Sequence, residues 1–174
     1  AGLFINVNYI VVPIFLMLVG GNELVGDAVF TNNRFVVALI YAATALPFTI
    51  YLLSGYFATL PRDFEEAAYV DGSGYFRTMA QVILPMAKPS IITVILFNFL
   101  AFWNEYIISM TLLTDDAVKT LPVGLMNLMK AQNAAAEYGQ MYAGLVIVVL
   151  PTLILYILVQ KKLTQGMTVG GIKG

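Results

Sequence analysis

The stretch FVVALIYAATALPFTIYLLSGYF, from Phe35 to Phe57, runs for 23 residues without a charge. The hydrocarbon core of a bilayer is about 30 Å thick and takes about 20 consecutive apolar residues of helix to cross. This stretch therefore reads as a membrane span, and the rest of the chain follows the same pattern. Leu3 to Val19 is uncharged but short, as expected of a first span whose upstream part is missing. Ile91 to Leu113 contains one charge, Glu105, and Met141 to Gln160 contains none before Lys161-Lys162. Composition agrees: the 174 residues are 60% hydrophobic and 11% charged, with a mean hydropathy of +0.84. Soluble chains are about 45–50% apolar and about 25% charged. The expected fold is an all-α polytopic membrane protein with about four transmembrane helices in a single transmembrane domain, residues 1–174.

The same counts exclude several functions. Net charge is −1, with no basic block to bind nucleic acid. Cysteine and histidine are absent, which removes disulfides, thiol catalysis and thiolate or imidazole metal sites. No GxxxxGK[ST] phosphate loop occurs, so any ATP used must be hydrolysed by another chain. No basic segment precedes Leu3, so the N-terminus does not read as a signal peptide but as the start of a fragment. Gly170-Gly171-Ile172-Lys173-Gly174 reads as a natural end.

Between the spans, Gly20 to Arg34 and Thr114 to Gln140 are polar and irregular, with a short helix expected over Val123 to Lys130. Pro13, Pro47 and Pro151 fall inside spans, where neighbouring helices can re-satisfy the freed backbone groups. Orientation follows from the basic residues. Arg62, Arg77, Lys88, Lys161, Lys162 and Lys173 lie on one side, against Arg34, Lys119 and Lys130 on the other. That bias places the Ala58–Lys88 loop and the C-terminus in the cytoplasm.

The Ala58–Lys88 loop is patterned rather than irregular. It predicts two short helices meeting at a sharp turn. Pro61 suits the start of the first, and Asp63, Glu65 and Glu66 suit its positive end. Gly72 is placed to take the left-handed conformation that closes a helix, and Ser73 to cap the next. Tyr75, Phe76, Met79, Val82 and Ile83 form one apolar stripe at helical spacing. Ala67 and Ala68 leave room for a close neighbour. On these grounds alone the pair could equally lie flat on the headgroups.

The spacing Glu66-Ala67-Ala68, three residues, Gly72, nine residues, Val82-Ile83-Leu84-Pro85 resembles the EAA loop of ABC-importer permeases, with Val82 in place of the usual Ile. Leu46-Pro47-Phe48, Asp71-Gly72, Lys88-Pro89, Trp103-Asn104-Glu105, Thr120 to Gly124 and the ending Gly166 to Gly174 are similar to the carbohydrate-uptake branch, in particular its maltose-type second permease subunits. The resemblance covers the C-terminal part of that six-helix subunit. It implies a multi-pass protein of the cell (inner, cytoplasmic) membrane that is not itself an enzyme and holds no cofactor, ATP and magnesium being bound by its partner. It implies four kinds of contact: a second homologous permease, two ATPase subunits, an extracytoplasmic sugar-binding protein and the lipid bilayer. Glu66, Ala67, Ala68, Asp71, Gly72, Leu84 and Pro85 would then form the element that couples to the ATPase.

An ionisable side chain within a span is a functional candidate, because a charge at mid-membrane costs roughly 2.5–3.5 kcal/mol or more. Read as one helix, Asn98, Phe102, Glu105 and Ser109 share a face, a polar stripe with an aromatic that suits a sugar path. The competing expectation is structural, with Glu105 near the interface and Trp103 and Tyr106 in the aromatic belt. Two other functions fit the apolar pattern: a secondary transporter or channel component using Glu105, and a membrane scaffold that only recruits a soluble partner. The sequence does not name the sugar.

Overall fold

The computed structural model describes residues 7–26, 29–132 and 138–168, so the readings of residues 1–6 and of the tail from residue 169 onward lie outside it. The described residues form helices: α1 (Val7–Val25), α2 (Arg34–Phe57), α3 (Asp63–Val70), α4 (Tyr75–Thr78), α5 (Leu84–Trp103), α6 (Ile107–Leu112), α7 (Leu121–Gln132) and α8 (Tyr138–Thr168). A π-helical turn, Met79–Ile83, joins α4 to α5 without a break. Arg34–Phe57, Tyr75–Trp103 and Tyr138–Leu158 are each long and apolar enough to cross a bilayer, and Tyr9–Val25 is a shorter apolar helix. The protein is all-α and polytopic.

The chain falls into two compact units, Ala1–Pro47 with Leu100–Tyr156, and Phe48–Phe99 with Ile157–Gly174. In the first, α1 packs on α6. Val11, Ile14, Phe15 and Leu18 recur at helical spacing along one face of α1, and meet Val37 of α2 with Ile108, Leu112 and Leu113 at α6. The polar connections are tied down by amides. Asn33 caps α2, its Oδ1 accepting from the Phe35 N–H at 2.9 Å. Asn32, with φ +54°, accepts from the backbone N–H groups of Thr114 (2.6 Å) and Asp115 (2.9 Å), and Arg34 donates to the Ala117 carbonyl at 2.6 Å. These bonds join the α1–α2 connection to the α6–α7 connection. Against α7, a Cβ on Gly144 of α8 would come within 3.1 Å of Leu125, so glycine sets that approach.

In the second unit, α3 packs on the π-turn and on α4. The buried side of the helix from α4 to α5 carries Thr78, Ile83, Ala87, Ser90 and Val94.

Four expectations are corrected. First, α1 continues to Val25, past the expected end at Val19: the Phe30 ring lies against Gly21, where an added Cβ would come within 3.1 Å of it, and the Asn22 side-chain oxygen accepts the Phe30 N–H at 2.8 Å. Second, α8 runs on through Lys161-Lys162 to Thr168: lysine ends an apolar run, but it is a good helix former. Third, the second helix of the loop is not separate but continuous with the span that follows, through Pro85 and Pro89. Fourth, the Ile91–Leu113 segment is not one helix. It stops at Trp103, and α6 restarts at Ile107, because the Glu105 carboxylate takes the N–H groups that an unbroken helix would have paired with carbonyls.

Candidate coupling loop and membrane polar cluster

In the loop, α3 opens with Asp63, Glu65 and Glu66 in its first turn, where the helix dipole favours negative charge. Pro61 stands two residues ahead of the helix rather than in its first turn. The closing geometry is a Schellman motif. Gly72 has φ +76°, its N–H donates to the Tyr69 carbonyl at 3.0 Å, and the Ser73 N–H donates to the Ala68 carbonyl at 2.9 Å. A Cβ on Gly72 would meet nothing within 4 Å, so the demand for glycine comes from the backbone angle alone and not from crowding. Ser73 does not cap the next helix. Gly74 holds that position without a side-chain hydrogen bond.

The named coupling residues divide by exposure. Glu66, Ala67, Asp71, Gly72, Leu84 and Pro85 are exposed, whereas Ala68 is 8% exposed and turned into the chain. The small pair therefore does two jobs: Ala68 lets α3 settle, and Ala67 leaves the outer face low. The expected apolar stripe is also divided, with Phe76 exposed and Ile83 buried. Arg77 donates to the Gln81 amide oxygen at 3.0 Å.

In the first unit, the break after Trp103 collects a polar cluster. Glu105 Oε1 accepts from the Ile108 N–H at 2.6 Å. Its Oε2 accepts from the Tyr41 hydroxyl at 2.6 Å, from the Ser109 N–H at 3.2 Å and from the Ser109 hydroxyl at 3.3 Å. Every partner is a donor, which suits an acceptor-only carboxylate. The Tyr41 and Phe102 rings stack at 5.0 Å, tilted by 7°. The Trp103 indole donates to the Val148 carbonyl of α8 at 2.9 Å. Phe102, Glu105 and Ser109 are thus gathered around Tyr41, a residue the sequence reading passed over because a lone tyrosine in a span gives no signal by spacing. In the second unit, Asn98 donates to Thr49 Oγ1 at 3.0 Å, and Phe48 meets Phe97 edge-on at 5.9 Å. Among the described residues, no group of three or more Asp, Glu, Cys or His side chains is placed to hold a metal ion.

A family described as the binding-protein-dependent transport system inner membrane component matches residues 3–169. The chain belongs to this family. Among curated relatives, it is 36% identical over 170 residues to the diacetylchitobiose uptake system permease protein NgcG of Streptomyces coelicolor, covering 98% of this chain and 54% of that one. It is 34% identical to the trehalose/maltose transport system permease protein MalG of Thermococcus litoralis, covering 77% and 48%. A third relative, the galactooligosaccharides transport system permease protein GanQ of Bacillus subtilis, is 34% identical, with 82% and 50% covered. The chain spans about half the length of these relatives. Membership in this inner-membrane family and the long apolar helices make it a multi-pass membrane protein.

Proposed function

We propose that this chain forms the C-terminal part of a permease subunit of an ATP-driven importer for a sugar or oligosaccharide. One observation carries the reading: a short acidic helix, closed by Gly72 in the left-handed conformation, packs on a helix that continues into a membrane span, in a chain of a binding-protein-dependent transport family. A rigid, low-profile helix attached to a span suits the transmission of a push from a soluble partner. The relatives' names, which speak of chitobiose, maltose and galactooligosaccharides, support the sugar class.

In this reading the loop and the C-terminus face the cytoplasm, and Glu66, Ala67, Ala68, Asp71, Gly72, Leu84 and Pro85 make or support the contact with one of two ATPase subunits. The ATPase hydrolyses ATP, so this subunit performs no covalent chemistry. A second homologous permease completes the path and an extracytoplasmic protein delivers the sugar. Asn98, Phe102, Glu105 and Ser109 belong to that path or its walls, Glu105 by holding the corner after Trp103 and Asn98 by its amide.

The test is uptake in proteoliposomes containing the full-length subunit with its second permease, ATPase and binding protein. We expect saccharide accumulation that requires ATP. Uptake driven by an ion gradient without ATP would sink the proposal. Topology is checked separately. No cysteine occurs in these residues, so in a full-length background free of other thiols Ser73→Cys should react only with reagent on the ATPase side, and Ala117→Cys only from the other side.

A further inference from the structure

The helix that runs from Tyr75 to Trp103 contains one irregularity. The Leu84 N–H donates to the Met79 carbonyl, five residues back instead of four, across the π-turn Met79–Ile83. Such a turn holds one residue more than the α-helix it interrupts. Its position follows from the sequence. Pro85 comes next, and proline has no N–H to give and clashes with the carbonyl four residues before it. A widened turn eases that clash but is not required by it, since Pro89 is carried by the same helix without one.

The burial pattern carries the count. The buried positions step from Thr78 to Ile83 by five, then to Ala87, Ser90 and Val94 by four, three and four. Only the first step is longer than an α-helix allows. In a continuous α-helix, at about 100° per residue, Phe76 and Ile83 would lie within about 20° of one another and Thr78 would point well away from Ile83. Instead Phe76 is 86% exposed while Thr78 and Ile83 are 3% and 4% exposed. The Thr78 hydroxyl is buried without a hydrogen-bond partner, as befits a residue held on that side by register and not by its own polarity.

We propose that the π-turn is a phase-correcting insertion: its extra residue keeps Thr78 on the buried side and turns Phe76 outward, onto the exposed face of the coupling loop. The functional side of this inference rests on the importer reading, and its structural side does not. It predicts an asymmetry. Deleting Ala80 converts the π-turn to an α-turn and leaves both ends in phase. Inserting one alanine after Ala80 adds a second surplus residue and rotates Phe76 by about 100°. A plain α-helix would be disturbed equally by either change.

The experiment measures maleimide labelling of Phe76→Cys and Thr78→Cys, each as the single thiol of the full-length subunit in proteoliposomes, with native length, with the deletion, or with the insertion. With native length or the deletion, Phe76→Cys should label at least tenfold faster than Thr78→Cys. With the insertion that ratio should collapse to within twofold. Loss of the ratio in the deletion variant, or its failure to insert in the membrane, overturns the proposal, as does an unchanged ratio in the insertion variant. Uptake is read in parallel: the deletion should retain it within about twofold, and the insertion should lose at least tenfold. Absence of ATP-dependent uptake at native length would fault the importer reading, while the labelling ratio still judges the π-turn.

Discussion

Two helix ends in this protein are finished by opposite means. At Gly72 the backbone closes α3 by itself, through one positive φ and two main-chain hydrogen bonds, with no side chain involved. Beyond Trp103, where the span ends, the Glu105 carboxylate opens α6 by taking the N–H groups of Ile108 and Ser109 while also accepting from Tyr41. The difference follows from surroundings. The loop is exposed, so water can serve whatever groups the turn leaves over. Ile108 and Ser109 are buried in the protein, where no water reaches, and a buried donor left unpaired costs about 1–3 kcal/mol. A helix end buried in the protein therefore needs a dedicated side chain, whereas a turn in the exposed loop needs only the right backbone angle.

The largest effect should come from attacking the backbone stop. Gly72→Val forces a β-branched residue into positive φ, at a local cost on the order of 1–3 kcal/mol. We expect normal insertion but at least a tenfold loss of uptake and of binding-protein-stimulated ATP hydrolysis. Gly72→Asn should retain most of both, because asparagine tolerates this conformation and nothing crowds the position. Equal damage from the two substitutions would mean that bulk, and not the backbone angle, is what matters there.

The side-chain cap should behave in the opposite way. Glu105→Ala strips the acceptor from several donors at once and should lower the thermal stability of the detergent-solubilised subunit by at least about 2 kcal/mol. Loss of assembled complex should accompany it. Glu105→Gln keeps one acceptor oxygen but turns an NH₂ toward donors, so its destabilisation should fall between alanine and the parent. If alanine and glutamine are both silent in stability while uptake falls, Glu105 serves the substrate and not the corner.

Tyr41→Phe is a smaller probe of the same cluster. It removes one donor and leaves the carboxylate its backbone partners, so a loss of about 1 kcal/mol is expected by the same unfolding measurement. The ring stack with Phe102 is kept.

Smallest of all is the pair of half-buried Lys119 and exposed Asp116 between α6 and α7. The Lys119 ammonium, by its hydrogen bond and then by its charge, holds the Asp116 carboxyl below the usual carboxylate range. A depressed carboxyl contributes stability above its unfolded value, and that contribution fades as pH falls through the lower folded value. Asp116 is fully exposed, so Lys119→Met should return its titration to the ordinary range, read by NMR, with no measurable change in unfolding.

The spans were legible because lipid demands a composition that no other environment explains, and Phe35–Phe57 needed no further signal. Gly72 was legible because positive φ leaves a mark in residue type. The break after Trp103 was not. Glu105 fits a helical face with Asn98 and Phe102 as well as it fits a cap, and spacing cannot distinguish a side chain that lines a helix from one that ends it. The π-turn was hidden for a related reason. Tyr75 to Ile83 shows a clean apolar stripe under α-helical counting, and only Pro85 hints that the count slips. Tyr41, one of ten tyrosines, offered nothing to single it out.

The Schellman turn has one more consequence, a matter of chemical ageing. Asp71-Gly72 is the dipeptide type in which the next backbone nitrogen most readily attacks the aspartate side-chain carboxyl, expelling water to form a succinimide that hydrolyses largely to isoaspartate. Both residues are exposed, which would normally invite the reaction. Here the Gly72 nitrogen donates its hydrogen to the Tyr69 carbonyl, and the ring closure requires that nitrogen to be released first. The bond that ends the helix thus also shields the loop from slow covalent damage, and any condition that frays α3 starts that clock.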